Sequence, residues 1–163
     1  MRVIKWVIIF IGVFFLTACT KVQVGELESR NYEIEFSVSE LPYVMTLNSG
    51  IIYTDYQTFI TWYNGKLSGY GQSYAEEKQA LIDYFSGYDE TFFETKALVI
   101  VDSIETSSMV QVEVYKVYLK LDEIIVVFRR TIPDDLDTIN TDHQFVIEID
   151  QPNDDIIGVD VRK

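Results

Sequence analysis

The clearest pattern in the chain is Tyr32-Glu33-Ile34-Glu35-Phe36-Ser37-Val38-Ser39, which puts Tyr32, Ile34, Phe36 and Val38 on one face and polar residues on the other. Strict alternation of this kind predicts a half-buried strand. Pro42 interrupts the strand or follows its end. Tyr43 to Tyr53 sets short apolar runs around Asn48-Ser49-Gly50, a turn signal between extended segments. The period then changes. Tyr56, Phe59, Ile60 and Tyr63 recur at i, i+3, i+4 and i+7, the apolar stripe of a helix. Thr54 and Gln57 match the capping box that opens a helix, and Asn64-Gly65 reads as its stop. Ser73 and Glu76 repeat the capping box before a second helix, Tyr74 to Phe85, with Tyr74, Leu81 and Phe85 turned inward. Gly87 closes it, and residues 89–94 read as a single helical turn.

After residue 95 the pattern is β. Ala97 to Val101 is unbroken apolar sequence, the signature of a strand buried on both faces. Val110, Val112 and Val114 share one parity, and Tyr115, Val117, Leu119 and Leu121 the other, so a β-bulge is expected at Val114-Tyr115. Asp122 marks a turn, and Ile124 to Ile132 returns as the hairpin partner before Pro133. Phe145, Ile147 and Ile149 predict a further strand, and Ile157, Val159 and Val161 the last. Two short helices early and hairpin-linked strands late predict an α+β fold with a mostly antiparallel sheet, a sandwich or an open barrel.

The opening segment follows another plan. Arg2 and Lys5 precede Trp6 to Leu16, 11 residues that are apolar apart from Gly12, and then Leu16-Thr17-Ala18-Cys19. A basic start, a short apolar run and small residues before a cut site are the parts of a secretory signal peptide. A spanning helix needs roughly 20 apolar residues, so this run is too short for one. Leu16, Thr17, Ala18 and Cys19 resemble the lipobox of bacterial lipoproteins, whose cysteine takes a diacylglyceryl thioether and becomes the new N-terminus. The expected organisation is a lipoprotein signal peptide at 1–18, a lipid-anchored tether at 19–30 and one domain at 31–163. Two acyl chains hold a protein stably on a bilayer where one does not. Cys19 is the sole cysteine, so disulfides have no part in the fold.

Loss of residues 1–18 leaves 145 residues, with 11 basic against 26 acidic, a net charge of −15. Such a balance argues against nucleic acid as a partner. With 11 Tyr and 10 Phe the chain has the aromatic content of a folded domain.

Candidate chemistry is sparse. There is no Gly-x-Ser-x-Gly elbow, and no lysine has a serine three residues before it. The sole histidine, His143, is flanked by Asp142 and Gln144 and carries no triad signal. One cysteine and one histidine cannot supply a zinc set. No catalytic residue and no cofactor is assigned. Residues 133–142, PDDLDTINTD, hold Asp135, Asp137 and Asp142 as weak calcium candidates, without the glycine of a helix-loop-helix calcium site. Residues 63–74, YNGKLSGYGQSY, are rich in Tyr, Gly and Ser, the composition of adaptable binding loops. Tyr63, Tyr70 and Tyr74 are therefore candidate partner contacts; the competing reading is a plain helix connection whose tyrosines pack inward.

Three stretches carry a family resemblance: YDETFFETKALVIV (88–101), VEVYKVYLKLDEIIVVFRRTIP (112–133) and TDHQF through GVDV (141–161). Together they resemble a domain of bacterial surface lipoproteins, similar to the C-terminal part of the small accessory subunit of a spirochaete surface protease complex (the PrcB-like family). The chain departs from that pattern near Asp142-His143-Gln144, where relatives are more apolar. The resemblance implies a fold, a location on the extracytoplasmic face of the membrane, and an accessory role. The expected function is thus a lipid-anchored, non-catalytic domain that binds another surface protein. The alternatives are a lipoprotein that binds a small solute or a cation such as calcium, and a hydrolase of unrecognised type.

Overall fold

The computed structural model describes residues 32–41, 50–152, 156 and 158–163. The expected signal peptide with Leu16, Thr17 and Ala18, the expected tether with Cys19, the turn residues Asn48-Ser49 and Ile157 lie outside the described residues. Among the described residues eight strands form two four-stranded sheets. One has the order β1-β5-β6-β8, with β1 Tyr32–Glu33, β5 Gln111–Lys120, β6 Glu123–Thr131 and β8 Gly158–Arg162. The other has the order β2-β7-β4-β3, with β2 Phe36–Glu40, β3 Ile51–Tyr53, β4 Lys96–Glu105 and β7 Thr141–Asp150. All pairs are antiparallel except β6 with β8. The sheets do not close into a barrel. They face each other as a sandwich, and three helices cover the outer face of the second sheet: α1 Tyr56–Ser68, α2 Ala75–Phe85 and α3 Glu90–Phe93.

Two apolar clusters follow from strand parity. Ala97, Val99 and Val101 of β4 and Phe145, Ile147 and Ile149 of β7 point into the sandwich, where they meet Val114 and Val117 of β5 and Ile124, Val126 and Phe128 of β6. Leu98, Ile100 and Val146 point the other way, onto Phe59, Leu81, Phe85 and Phe93 of the helices. The continuous apolar run in β4 thus reflects a central strand covered on both faces.

Several elements differ from the sequence pattern. The strand expected over 32–39 is shared between the sheets. β1 pairs with β5, Ile34 N–H donates to Val117 C=O at 2.9 Å, and β2 then pairs with β7. Val38, expected inward, is exposed because β2 is an edge strand. The cap of α1 is Asp55 rather than Thr54, its carboxylate accepting from Thr58 N at 2.8 Å and Thr58 Oγ1 at 2.7 Å. A carboxylate satisfies the free N–H groups of the first turn more strongly than a hydroxyl. Asn64-Gly65 does not stop α1, which runs on to Ser68. Leu67 continues the spacing of Phe59 and Tyr63 onto the core, and that burial outweighs the cost of about 1 kcal/mol for one exposed glycine. Ser73 caps nothing; it lies in the 3-10 turn Gln72–Tyr74, and α2 begins at Ala75.

The predicted bulge is present. The β5–β6 register shifts between Val114 and Lys116, so Val114 and Val117 both face the core. The hairpin closes through Leu121-Asp122, with Leu121 at φ 56°, a left-handed conformation a β-carbon disfavours. Gly50 enters β3 at φ 46°; a β-carbon there would meet Val159 of the other sheet at 3.0 Å.

Candidate functional site

Strand direction gives the sandwich two unlike ends. Tyr32 pairs with Leu119 beside the β5–β6 hairpin, so the chain enters the domain at that end. The opposite end, here called the tip, carries the connections 106–110 between β4 and β5 and 132–140 between β6 and β7. Gln111 pairs with Thr131 and Glu105 with Thr141, which places both connections at one level.

Asp137 stitches the two connections together. It accepts from Ser107 Oγ at 2.6 Å, from Ser108 N at 2.8 Å, and from Ser108 Oγ. The hydrogen bonds from Ser107 and Ser108 hold its carboxyl down at about 2. Ser107 in turn is buried and accepts from Met109 N at 3.2 Å. The loops are therefore fixed relative to each other by charge-assisted bonds. Replacing Asp137 with alanine is expected to speed amide exchange at Ser108 and Ile139 roughly tenfold while leaving β4 and β7 protected. The carboxyl is depressed in the folded state. Its contribution to stability is thus whole above an ordinary aspartate value of about 3.9 and fades as pH falls toward 2.

Beneath the stitched loops the sandwich interior turns polar. Glu105, 1% exposed, accepts from Ser103 Oγ at 2.9 Å, from Lys163 Nζ at 3.2 Å and from Arg130 Nη2. Burial pushes its carboxyl up, but these three donors together outweigh burial and leave it lowered. His143 lies across from Ser103, with its Nδ1 2.8 Å from Glu40 Oε1 and its ring stacked on Phe145 at 6.3 Å. Its Nε2 is buried without a partner. Ser103 is 1% exposed and its hydroxyl is given to Glu105, so it is not presented to an incoming substrate.

The tip shows solvent large apolar side chains among its polar ones. Among the described residues, five of the ten exposed large hydrophobic side chains sit there: Ile104, Met109, Ile132, Leu136 and Ile139, each 46–61% exposed. Asp134, Asp135 and Asp142 are exposed around them and make no ion pair among the described residues. Of the cations at this end, Arg130 and Lys163 pair with Glu105 and Arg129 pairs with Glu113.

The candidates named from the sequence fall elsewhere or do other work. Asp137 is occupied by the serine hydroxyls, Asp142 lies on β7 opposite Ile104, and Asp135 is in the loop. Among the described residues no group of three or more His, Cys, Asp or Glu side chains is placed to hold a metal ion. Tyr63, Tyr70 and Tyr74 do not form a loop surface. Tyr63 is in α1, buried and stacked on Phe59 at 5.8 Å. Tyr70 is half-buried against the core beneath α1, and Tyr74, expected inward, is exposed with only Tyr70 against its ring at 6.3 Å. Burial raises the hydroxyls of Tyr63 and Tyr70, as it does those of the core residues Tyr53 and Tyr88.

A polar cleft of about 230 Å³ lies at the edge of the helix-covered sheet, lined by Glu35, Phe36, Ser37, Lys96, Glu148 and Asp150. Its polar groups largely satisfy one another. Tyr88 OH donates to Glu148 at 2.8 Å, Ser37 Oγ donates to Glu148 at 3.1 Å, and Lys96 pairs with Asp150 at 2.6 Å.

The apolar tip went unread in the sequence because acids dominate residues 133–142. The signal was there: Ile132, Leu136 and Ile139 are large apolar residues in a segment with no secondary-structure period to bury them. No family model, curated protein or solved structure matches this chain.

Proposed function

We propose that this chain is a lipid-anchored extracytoplasmic domain that binds another surface protein through its apolar tip and does no chemistry of its own. The signal-peptide plan ending at Cys19 supports the anchor. The observation that carries the binding role is the set of five exposed apolar side chains at the tip, Ile104 at the end of β4 and four on the two loops that Asp137 joins. Large contiguous apolar surface rimmed by polar residues marks interaction sites. Rigid loops bind at lower entropic cost than mobile ones.

Magnitudes set the affinity. Each side chain is about half exposed, so burying the rest of it yields about half of the 1.5–3 kcal/mol for a whole side chain. Five of them give roughly 4–7 kcal/mol, against an association cost of about 4–15 kcal/mol. The apolar contact alone thus makes a weak complex. Confinement of both proteins to one membrane raises their effective concentration and compensates.

The test is the paired variant Leu136→Asp and Ile139→Asp in the full chain, with chemical crosslinking on intact membranes. Both positions are already exposed, so melting temperature should stay within a few degrees of the parent. The parent is expected to yield one reproducible crosslinked species that the variant loses. A species retained in full by the variant, or none from the parent, would contradict the proposal.

A further inference from the structure

We infer that the partner meets the tip with an apolar face rimmed by lysine or arginine. This rests on the anchored, protein-binding reading above and specifies the partner. The chain enters the domain at Tyr32, paired with Leu119 next to the hairpin turn. The tip loops begin beyond Gln111 and Thr131, at the other end of the same strands. Eight residues of β5 separate those levels, about 27 Å at the rise of an antiparallel strand. Position 121 on the hairpin turn and the tip are thus opposite ends of one sheet, so labels at the two places tell them apart.

The charge requirement comes from the rim. Among the described residues Asp134, Asp135 and Asp142 flank the apolar residues without ion pairs, and the nearby cations are already engaged, Arg130 and Lys163 by Glu105 and Arg129 by Glu113. A face that brought carboxylates to this rim would be repelled, whereas ammonium or guanidinium groups are attracted and steer the encounter. A second copy of this chain would bring its own aspartates and is disfavoured by the same argument.

The experiment places a photo-crosslinking amino acid in the full, membrane-held chain, either at exposed Thr138 on the tip or at exposed Leu121 on the hairpin turn. An adduct with another protein is expected from position 138 and none from 121. Its yield should fall roughly tenfold as NaCl rises from about 0.05 M to about 0.5 M, and by a similar factor in the double variant Asp134→Lys, Asp135→Lys. An adduct from 121 alone would overturn the placement of the partner at the tip. A tip adduct indifferent to salt and to charge reversal, or one of twice the chain's own mass, would overturn the basic rim while leaving protein binding in place. No adduct from either position would overturn the binding reading together with the inference.

Discussion

Replacing Phe59 with alanine is expected to lower the unfolding free energy by about 3–5 kcal/mol, seen as a fall in the urea midpoint with little change in slope. Phe59 is 1% exposed and stands at the centre of the aromatic layer between α1 and the sheet. It stacks on Tyr63 at 5.8 Å and meets Phe93 at 5.4 Å, Phe85 at 5.7 Å and Tyr53 at 5.7 Å. These rings come from α1, α2, α3 and β3, so one deletion removes contacts to four elements at once. Neighbours that also hold one another cannot collapse into the gap, which keeps the cavity cost high. A domain of this size has about 5–15 kcal/mol in total, so the loss is a large share. Phe92→Ala, at a half-buried position on the same layer, should cost less than half as much. Equal losses at the two sites would mean the helices do not pack around Phe59.

The second large effect belongs to Glu105. A carboxylate 1% exposed is tolerable only with its donors in place, and Arg130 reaches it from β6 of the other sheet. Arg130→Met is expected to cost about 2–4 kcal/mol, because Lys163 and Ser103 remain but the buried charge is left undercompensated. Glu105→Gln should cost less, about 1–2 kcal/mol, since the side chains of Arg130 and Lys163 are 33% and 40% exposed and can turn to water. The sign with pH follows. The folded-state carboxyl is lowered, so its contribution is whole above the ordinary glutamate value of about 4.3 and is lost as pH falls through the folded-state value. The stability difference between parent and Glu105→Gln, measured by urea titration, should be flat from pH 7 to about pH 5 and shrink below about pH 4.5. A difference that grows on acidification would show that Glu105 is not ionised in the fold.

How much of this was legible in the sequence depended on the kind of signal. Periodicity located β4, β5, β6 and β7 and both long helices, because burial dictates each alternation directly. The parity switch at Val114-Tyr115 announced the bulge for the same reason. Local chemistry was less decisive. Thr54 and Asp55 both suit a cap, and only the position of the apolar stripe against the sheet selects Asp55. Asn64-Gly65 carries a real stop signal that tertiary packing at Leu67 overrides. The division of residues 32–40 between two sheets leaves no mark at all, since a strand alternates in the same way whichever sheet it joins.

The site was the least legible part. Its apolar residues are brought together by two connections 22 or more residues apart in sequence, and by Asp137 reaching back 30 residues to Ser107. The tyrosine-rich stretch 63–74 attracted attention by composition, yet composition does not say which tyrosines face a core. Helix continuation through Ser68 takes Tyr63 inside. The acidic loop was noticed for its charge, but its most engaged carboxylate serves geometry and its neighbours form the rim of an apolar face.

The place where this protein acts turns on Cys19. Intact-mass spectrometry of the chain extracted from its own membranes should give a species that begins at Cys19, lacks residues 1–18 and carries a diacylglyceryl group on sulfur, and Cys19→Ser should abolish that species and release the domain from the membrane fraction. A chain that begins at Met1 with a free thiol, or a serine variant that still sediments with membranes, would contradict the anchored domain proposed here.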